Sequence, residues 1–127
     1  MKLFEEIVKP FPGMRVLDIG GTASIWKHID VPLSVTCLNL HSPDKDRGCE
    51  GPHKFSFLVG DGCSIPQFNP GDFDLVFSNS VIEHVGNYAK QQSFASEVLR
   101  LSTDYWIQTP HKWFPVEVHC GIPFWWF

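Results

Sequence analysis

The sequence predicts one α/β domain built on a mainly parallel sheet, and two observations carry that prediction. Short apolar segments rich in β-branched residues recur along the chain, and helices or longer connections separate them, as expected for strands joined by crossovers. The first such segment, residues 14–19, is an apolar run interrupted mainly by Asp18 and followed by Gly20-Gly21. A run of this kind suits a strand buried on both faces of a parallel sheet.

The remaining elements follow from periodicity and from Pro and Gly signals. A helix is expected over residues 2–8, where apolar side chains fall at helical spacing before Pro10 and Pro12. Strands are expected at 14–19, 34–39, 55–59, 73–78 and 104–109, with a short helix from Thr22 or Ser24 to Asp30 and an irregular connection over 40–54. A helix over 87–101 is expected to turn one apolar side to the core, formed by Tyr88, Phe94, Ala95, Val98 and Leu99.

Length and composition predict a soluble globular domain. The 127 residues fit a single domain, with 1–13 as an N-terminal helix and linker and 110–127 as an aromatic tail. A net charge of −4 without a Lys/Arg cluster does not support nucleic-acid binding, and no apolar run approaches the roughly 20 residues of a membrane span. Four cysteines without a C-x-x-C pair argue against disulfides and zinc, so reduced thiols and a cytoplasmic location are expected.

Small or hydrogen-bonding residues follow four successive predicted strands. They are Gly20-Gly21 after the first strand, Asn39 after the second, Asp61-Gly62-Cys63 after the third and Asn79-Ser80 after the fourth. Ligands of doubly wound sheets bind beyond the carboxyl ends of the strands. A glycine turn lets a ligand approach the backbone, and the helix after it directs free N–H groups at the ligand. The sequence therefore predicts a site for a nucleotide-type cofactor at this edge.

The order of these segments resembles that of class I S-adenosylmethionine-dependent methyltransferases, most closely the small-molecule group. The resemblance covers residues 14–110 and rests on V-L-D-I-G-G, V-T-C-L-N, G-D-G-C-S-I-P and F-D-L-V-F-S-N-S-V-I-E-H-V. It implies a Rossmann-like, doubly wound sheet of five mainly parallel strands, with S-adenosylmethionine as cofactor and S-adenosylhomocysteine as product. The family's sheet ends in an antiparallel pair that this chain does not reach, so a truncated domain or a fragment of a longer protein is expected.

The resemblance also implies roles for individual residues. The methionine part of the cofactor would lie along Gly20, Gly21 and Thr22, with Asp18 near its amino group. Asn39 stands where the family has an acid that holds the ribose hydroxyls. The adenine amino group would meet Asp61, with backbone contacts from Gly62 and Cys63. The sulfonium and the entrance for a small-molecule substrate would be bordered by Asn79 and Ser80.

Proton transfer is needed only for an acceptor that must lose a proton. His84 is the best-placed candidate base, with His111 or His119 behind it, although a local structural role for His84 is favoured. The other residues also have plainer interpretations: Asp18, Gly20-Gly21 and Asp61 as parts of turns, and Asn39 as an ordinary strand end. The irregular spacing of His111, Glu117 and His119 argues against a metal site.

The chain departs from the family pattern in three places, and the missing antiparallel pair is one of them. The glycine-rich loop usually continues with two further glycines, where this chain has Thr22 and Ser24. Asn39 replaces an acid, so a hydrogen bond to a ribose hydroxyl would lack charge assistance.

Two other functions compete with methyl transfer as interpretations of this sequence. A dinucleotide-binding domain would need G-x-G-x-x-G, which the segment from Gly20 does not supply. A non-catalytic cofactor-binding or interaction module would instead form a homo-oligomer through the open edge of the fifth strand or through the aromatic tail.

Overall fold

The computed structural model describes residues 1–42, 49 and 51–110. The expected aromatic tail from residue 111 onward, with His111, Glu117 and His119, lies outside the described residues, as does part of the 40–54 connection. In chain order, the described elements are α1 (Lys2–Val8), β1 (Arg15–Ile19), a 3₁₀ helix (Ala23–His28), β2 (Ser34–Asn39), β3 (Lys54–Val59), β4 (Leu75–Asn79), a 3₁₀ turn (Ile82–His84), α2 (Tyr88–Leu101) and β5 (Tyr105–Gln108).

The five strands form one parallel sheet in the order β3-β2-β1-β4-β5, which confirms the predicted doubly wound α/β fold. β1 lies at the centre, with Asp18 in register with Cys37 of β2 and Phe77 of β4. The chain runs outward from β1 to β3 and then crosses back to β4, so the topological switch point lies between β1 and β4. A ligand is expected beyond the carboxyl ends of the strands there.

Alternate residues of the strands face two apolar layers. On one face, α1 and the 3₁₀ helix cover the sheet, and the ring of Phe4 lies 5.8 Å from Trp26, 5.7 Å from Phe77 and 5.5 Å from Trp106. On the other face, α2 covers Leu17, Ile19 and their neighbours. Side chains alternate between the two faces of a strand, so Asp18 lies on the same face as Val16, among the apolar and aromatic residues of that layer.

The packed face of α2 is narrower than the sequence indicated. Phe94, Val98 and Leu101 are buried at spacings of four and three, which is one stripe of a helix. The expectation was wrong for Tyr88 and Leu99, whose side chains are 73% and 63% exposed, and for Ala95, which is also exposed. Tyr88 lies in the first turn and Leu99 is directed away from the stripe, so neither reaches the sheet.

Residues 60–74, which connect β3 to β4, form turns and no helix. Two side chains of α2 supply the hydrogen bonds that a helix would have made internally. Arg100 donates to the carbonyl oxygens of Phe68 and Ile65, each at 2.8 Å, and Glu97 accepts from the N–H of Ile65 at 2.7 Å. Arg100 also pairs with Glu97 at 2.8 Å. This connection is therefore attached to α2.

A carboxyl group is buried in the centre of the molecule. Asp18 has no exposed surface, and its Oδ2 accepts a hydrogen bond of 2.8 Å from the indole N–H of Trp26, which is equally buried. Its Oδ1 has no hydrogen-bond partner among the described residues. Burial raises the pKa of Asp18 to about 7, and the bond from Trp26 opposes that shift.

We expect Asp18→Asn to be more stable than the wild type at about pH 8. The folded-state pKa of Asp18 is raised above its unfolded value of about 3.9, so the folded wild type loses stability as pH rises from about 4 to about 7. An uncharged amide of the same shape carries no such cost. Urea unfolding of both proteins from about pH 4 to about pH 8 tests the expectation. The difference between their free energies of unfolding should be largest above about pH 7 and close to zero at about pH 4. A difference that does not change with pH would contradict it.

Candidate functional site

A cavity of about 830 Å³ opens at the carboxyl edge of the sheet, where the sequence predicted a site. It extends along the ends of β1, β2 and β3 and reaches the segment after β4. Sixteen residues line it: Ile19, Gly20, Thr22, Ala23, Ser24, Leu38, Asn39, Leu40, His41, Phe57, Gly60, Asp61, Gly62, Val81, His84 and Val85. Its volume lies within the range of small-molecule and cofactor sites, about 300–1,000 Å³.

Gly20 begins the loop between β1 and the 3₁₀ helix with a backbone that favours glycine. Its φ is +78°, in the left-handed region, and its N–H donates to the carbonyl oxygen of Leu38 at 2.8 Å. A Cβ on Gly20 would overlap Cγ2 of Val81, which comes from the segment after β4. The loop is therefore in direct contact with both neighbouring strand ends.

Gly21 lies directly over the buried carboxylate. A Cβ on Gly21 would overlap Asp18, so only glycine allows this close approach. The carbonyl oxygen of Gly21 accepts a hydrogen bond of 3.0 Å from Nδ2 of Asn39, the last residue of β2. Asp18 and Gly21 therefore lie beneath and behind the cavity surface, and neither is among its lining residues.

Thr22 and Ser24, which stand where the resemblance implies two further glycines, are exposed at the cavity wall. The hydroxyls of Thr22 and Ser24 are hydrogen-bonded to each other at 2.9 Å. Thr22 has extended backbone angles, φ −128° and ψ 150°, which a β-branched residue adopts readily. The loop thus accommodates these side chains without a left-handed residue at Thr22.

Asp61 stands at the end of β3 as an ionised acceptor. Its Oδ1 accepts from the backbone N–H of Cys63 at 2.8 Å, and its Oδ2 lies 3.7 Å from Nζ of Lys90. The hydrogen bond from Cys63 lowers the pKa of Asp61, and the charge of Lys90 lowers it further. Burial, followed by the charge of Asp61, raises the pKa of the Cys63 thiol, so this thiol is not an activated nucleophile.

The end of β4 is held tightly but contributes little to the wall. The hydroxyl of Ser78 is buried and donates to the carbonyl oxygen of Ile19 at 3.0 Å, which joins β4 to β1. Ser80 has a φ of +56°, an uncommon angle for a residue other than glycine, and its N–H donates to Gln108 at 2.8 Å. Neither Asn79 nor Ser80 lines the cavity; the next residue, Val81, does.

His84 lines the cavity on the β4 side, and Glu83 lies behind it. The side chain of His84 is 60% exposed, and its Nε2 lies 3.9 Å from Oε1 of Glu83. Oε2 of Glu83 accepts a hydrogen bond of 3.0 Å from Thr109, which follows β5. An imidazole at a cavity wall with a carboxylate beside it can accept and release a proton.

The structure brings six of the eleven expected site residues into one cavity wall: Gly20, Thr22, Asn39, Asp61, Gly62 and His84. It places the other five beneath or beside that wall: Asp18, Gly21, Cys63, Asn79 and Ser80. Sequence reasoning missed Trp26, which holds Asp18, and Val81, which covers Gly20. Val81 could have been suspected because it lies two residues after the end of β4, at the switch point.

Two features are absent from the residues that the structure describes. Nowhere in this part of the chain do three His, Cys, Asp or Glu side chains come together as metal ligands would. Among the same residues, no helix is both long and apolar enough to cross a membrane.

The model of the family described as "Methyltransferase domain" matches residues 17–103. Among solved structures, the chain is similar to a candidate methyltransferase of Bacillus halodurans, at 19% identity and a TM-score of 0.59 over 80% of this chain and 45% of that one. It is also similar to an arsenic(III) S-adenosylmethionine methyltransferase of Chlamydomonas reinhardtii, at 22% identity and a TM-score of 0.53 over 72% and 36%.

A third solved structure is phosphoethanolamine N-methyltransferase 2 of Haemonchus contortus in complex with S-adenosyl-L-methionine. It matches at 21% identity and a TM-score of 0.54, over 80% of this chain and 25% of that one. No curated protein matches the sequence. The chain spans less than half the length of these solved chains. These likenesses agree on the fold, and the family match extends from the central strand to Thr103, two residues before β5. The chain therefore belongs to the methyltransferase domain family.

Proposed function

We propose that the chain binds S-adenosylmethionine in the cavity at the carboxyl edge and transfers its methyl group to a small-molecule acceptor. S-adenosylmethionine is the cofactor that the family and the ligand-bound neighbour indicate. The observation that carries the proposal is that the glycine loop, Asn39 and Asp61 border one cavity of about 830 Å³. The acceptor is not identified by any of these findings.

The residues present fit this cofactor in shape and in charge. Gly20 lines the cavity without a side chain, so a ligand's methionine part can approach the backbone there. Asp61 is held ionised, so it can accept from an amino group such as that of adenine. When it is ionised, the buried carboxyl of Asp18 supplies negative charge beneath the loop, where a ligand's ammonium group would be stabilised.

The cofactor, when bound, supplies a methyl group on a sulfonium that is already activated for displacement. The protein therefore needs mainly to orient the acceptor and exclude water. Val81, His84 and Val85 line the cavity on the side of β4, and we assign the acceptor to that side. His84 is the wall residue there that can take a proton from the acceptor.

The first test is calorimetric titration of the full chain with S-adenosylhomocysteine, and with NAD as the control. We expect micromolar binding of S-adenosylhomocysteine, because the cavity offers both glycine backbone and an ionised acceptor, and no binding of NAD. Binding of NAD alone would support the dinucleotide-binding rival. Silence with both ligands from a folded protein would contradict the proposal and favour the non-catalytic interaction module.

We expect His84→Ala to lose methyl transfer while keeping the cofactor. General-base catalysis contributes about 10²- to 10⁴-fold, so transfer to an acceptor that must lose a proton should fall by that order. Transfer from radiolabelled S-adenosylmethionine to a panel of hydroxyl, thiol and amine acceptors would measure it. His28→Ala, an exposed histidine outside the cavity, is the matched control. Equal transfer by both variants would leave His84 with a structural role only.

We also propose that the chain self-associates through the edge of β5. Among the described residues β5 pairs with β4 alone, and Tyr105 on this edge strand is 55% exposed. An edge of this kind can pair with another chain, and a charge on it prevents pairing. Sedimentation at micromolar concentration should show a dimer or larger species, reduced by Tyr105→Lys but not by Thr103→Lys, which precedes the strand. A monomeric wild type would refute this.

A further inference from the structure

Asn39 makes a contact that an acid at its position could not make. Its Nδ2 donates to the carbonyl oxygen of Gly21 at 3.0 Å. A carbonyl oxygen can only accept, so this partner determines which end of the amide faces the loop. An ionised carboxylate has no proton to donate and would place two acceptors against each other.

This contact completes the support of the glycine loop. The N–H of Gly20 is bonded to Leu38, and Val81 packs on the Cα of Gly20 from the β4 side. Asp18 lies under Gly21 but does not hold its carbonyl group. In the described structure, Asn39 is the side chain that fixes the orientation of this peptide.

We infer that Asn39 is a positioning residue that fixes the glycine loop for the cofactor, rather than chiefly a ligand of its ribose. This inference rests on the proposed function for the identity of the ligand, but the contact itself does not depend on it. Oδ1 of Asn39 remains available as an acceptor, so it can still accept a hydrogen bond from one ribose hydroxyl. The loop gains an anchor from β2, and the charge-assisted ribose contact is given up.

The consequence is that restoring the family's acid should harm the site. Asn39→Asp would remove the bond to Gly21 and add a charge near two acids, Asp18 beneath the loop and Asp61 at the end of β3. His41, two residues further on, is the remaining titratable group of the wall in this region. Asn39→Ala removes the bond without adding charge. At about pH 8 the order of affinity should be wild type, then Asn39→Ala, then Asn39→Asp.

The test is titration of S-adenosylhomocysteine into the three proteins at about pH 8 and at about pH 5. Loss of one hydrogen bond should weaken binding by about threefold to tenfold in Asn39→Ala, and by more in Asn39→Asp. At the lower pH a larger fraction of Asn39→Asp is protonated, and a protonated carboxyl can donate to Gly21, so this variant should recover in part relative to the wild type. Asn69→Asp, which adds the same charge outside the cavity, should behave as the wild type. A ribose ligand would reverse the order: tightest binding by Asn39→Asp at about pH 8 would overturn the inference.

A second measurement does not require any ligand. Hydrogen exchange at the amides of residues 21–24 should be faster in Asn39→Ala and Asn39→Asp than in the wild type and Asn69→Asp, at one pH. If the wild type does not bind S-adenosylhomocysteine, the proposed function fails and this measurement decides the role of Asn39. Unchanged exchange in both Asn39 variants would overturn the inference even if binding were weakened.

Discussion

The hydrogen bond from Trp26 to Asp18 is the interaction on which the site depends. It links the central strand to the 3₁₀ helix across the aromatic face of the sheet. The carbonyl oxygen of Trp26 is in turn bonded to Nε2 of His53 at 2.9 Å, while Nδ1 of His53 accepts from the N–H of Leu33 at 3.2 Å. This arrangement fixes the Nε2–H tautomer of His53 and secures the 3₁₀ helix from its outer side. The loop that borders the cavity therefore connects two elements, β1 and the 3₁₀ helix, that are held in place by these hydrogen bonds.

The buried carboxyl of Asp18 lowers the stability of this small domain, because one of its oxygens has no hydrogen-bond partner among the described residues. Taking a charge out of water costs free energy that one indole hydrogen bond does not fully return. Stability and function often conflict at such groups, because a site must keep a charge where a ligand needs it. In the proposed function, the burial of Asp18 is retained because its charge lies beneath the loop that borders the ligand cavity. Position 21 must also be glycine, since the carboxylate of Asp18 occupies the space that a Cβ would need.

Much of the fold could be predicted from the sequence, because apolar runs that end in glycine or proline mark buried parallel strands. All five strands and both α-helices were expected within about two residues of their bounds. The exposed positions of Tyr88 and Leu99 could not be predicted, since spacing alone does not say how narrow the packed stripe of α2 is. The 3₁₀ form of residues 23–28 depends on Trp26 reaching Asp18, which is a tertiary contact.

The candidate site was predictable at the level of strand ends and not at the level of contacts. The residues after β1, β2 and β3 meet at one cavity because parallel strands end at one edge. That Nδ2 of Asn39 faces Gly21 follows only from the three-dimensional distance between β2 and the loop. Ser80 could not be identified as a left-handed residue, because its hydrogen bond to Gln108 is with a strand 28 positions later in the chain.

The attachment of residues 60–74 to α2 bears on how a ligand enters the cavity. Lys90 near one end of this helix contacts Asp61 and Cys63, and Glu97 and Arg100 near the other end hold Ile65 and Phe68. Turns without a helix of their own have little independent resistance to opening, and here their opening would break these contacts or draw α2 away from the sheet. That movement would expose Phe94 and Val98 from the core. A ligand that entered through the wall at the end of β3 would therefore have to break these contacts or disturb the packing of α2.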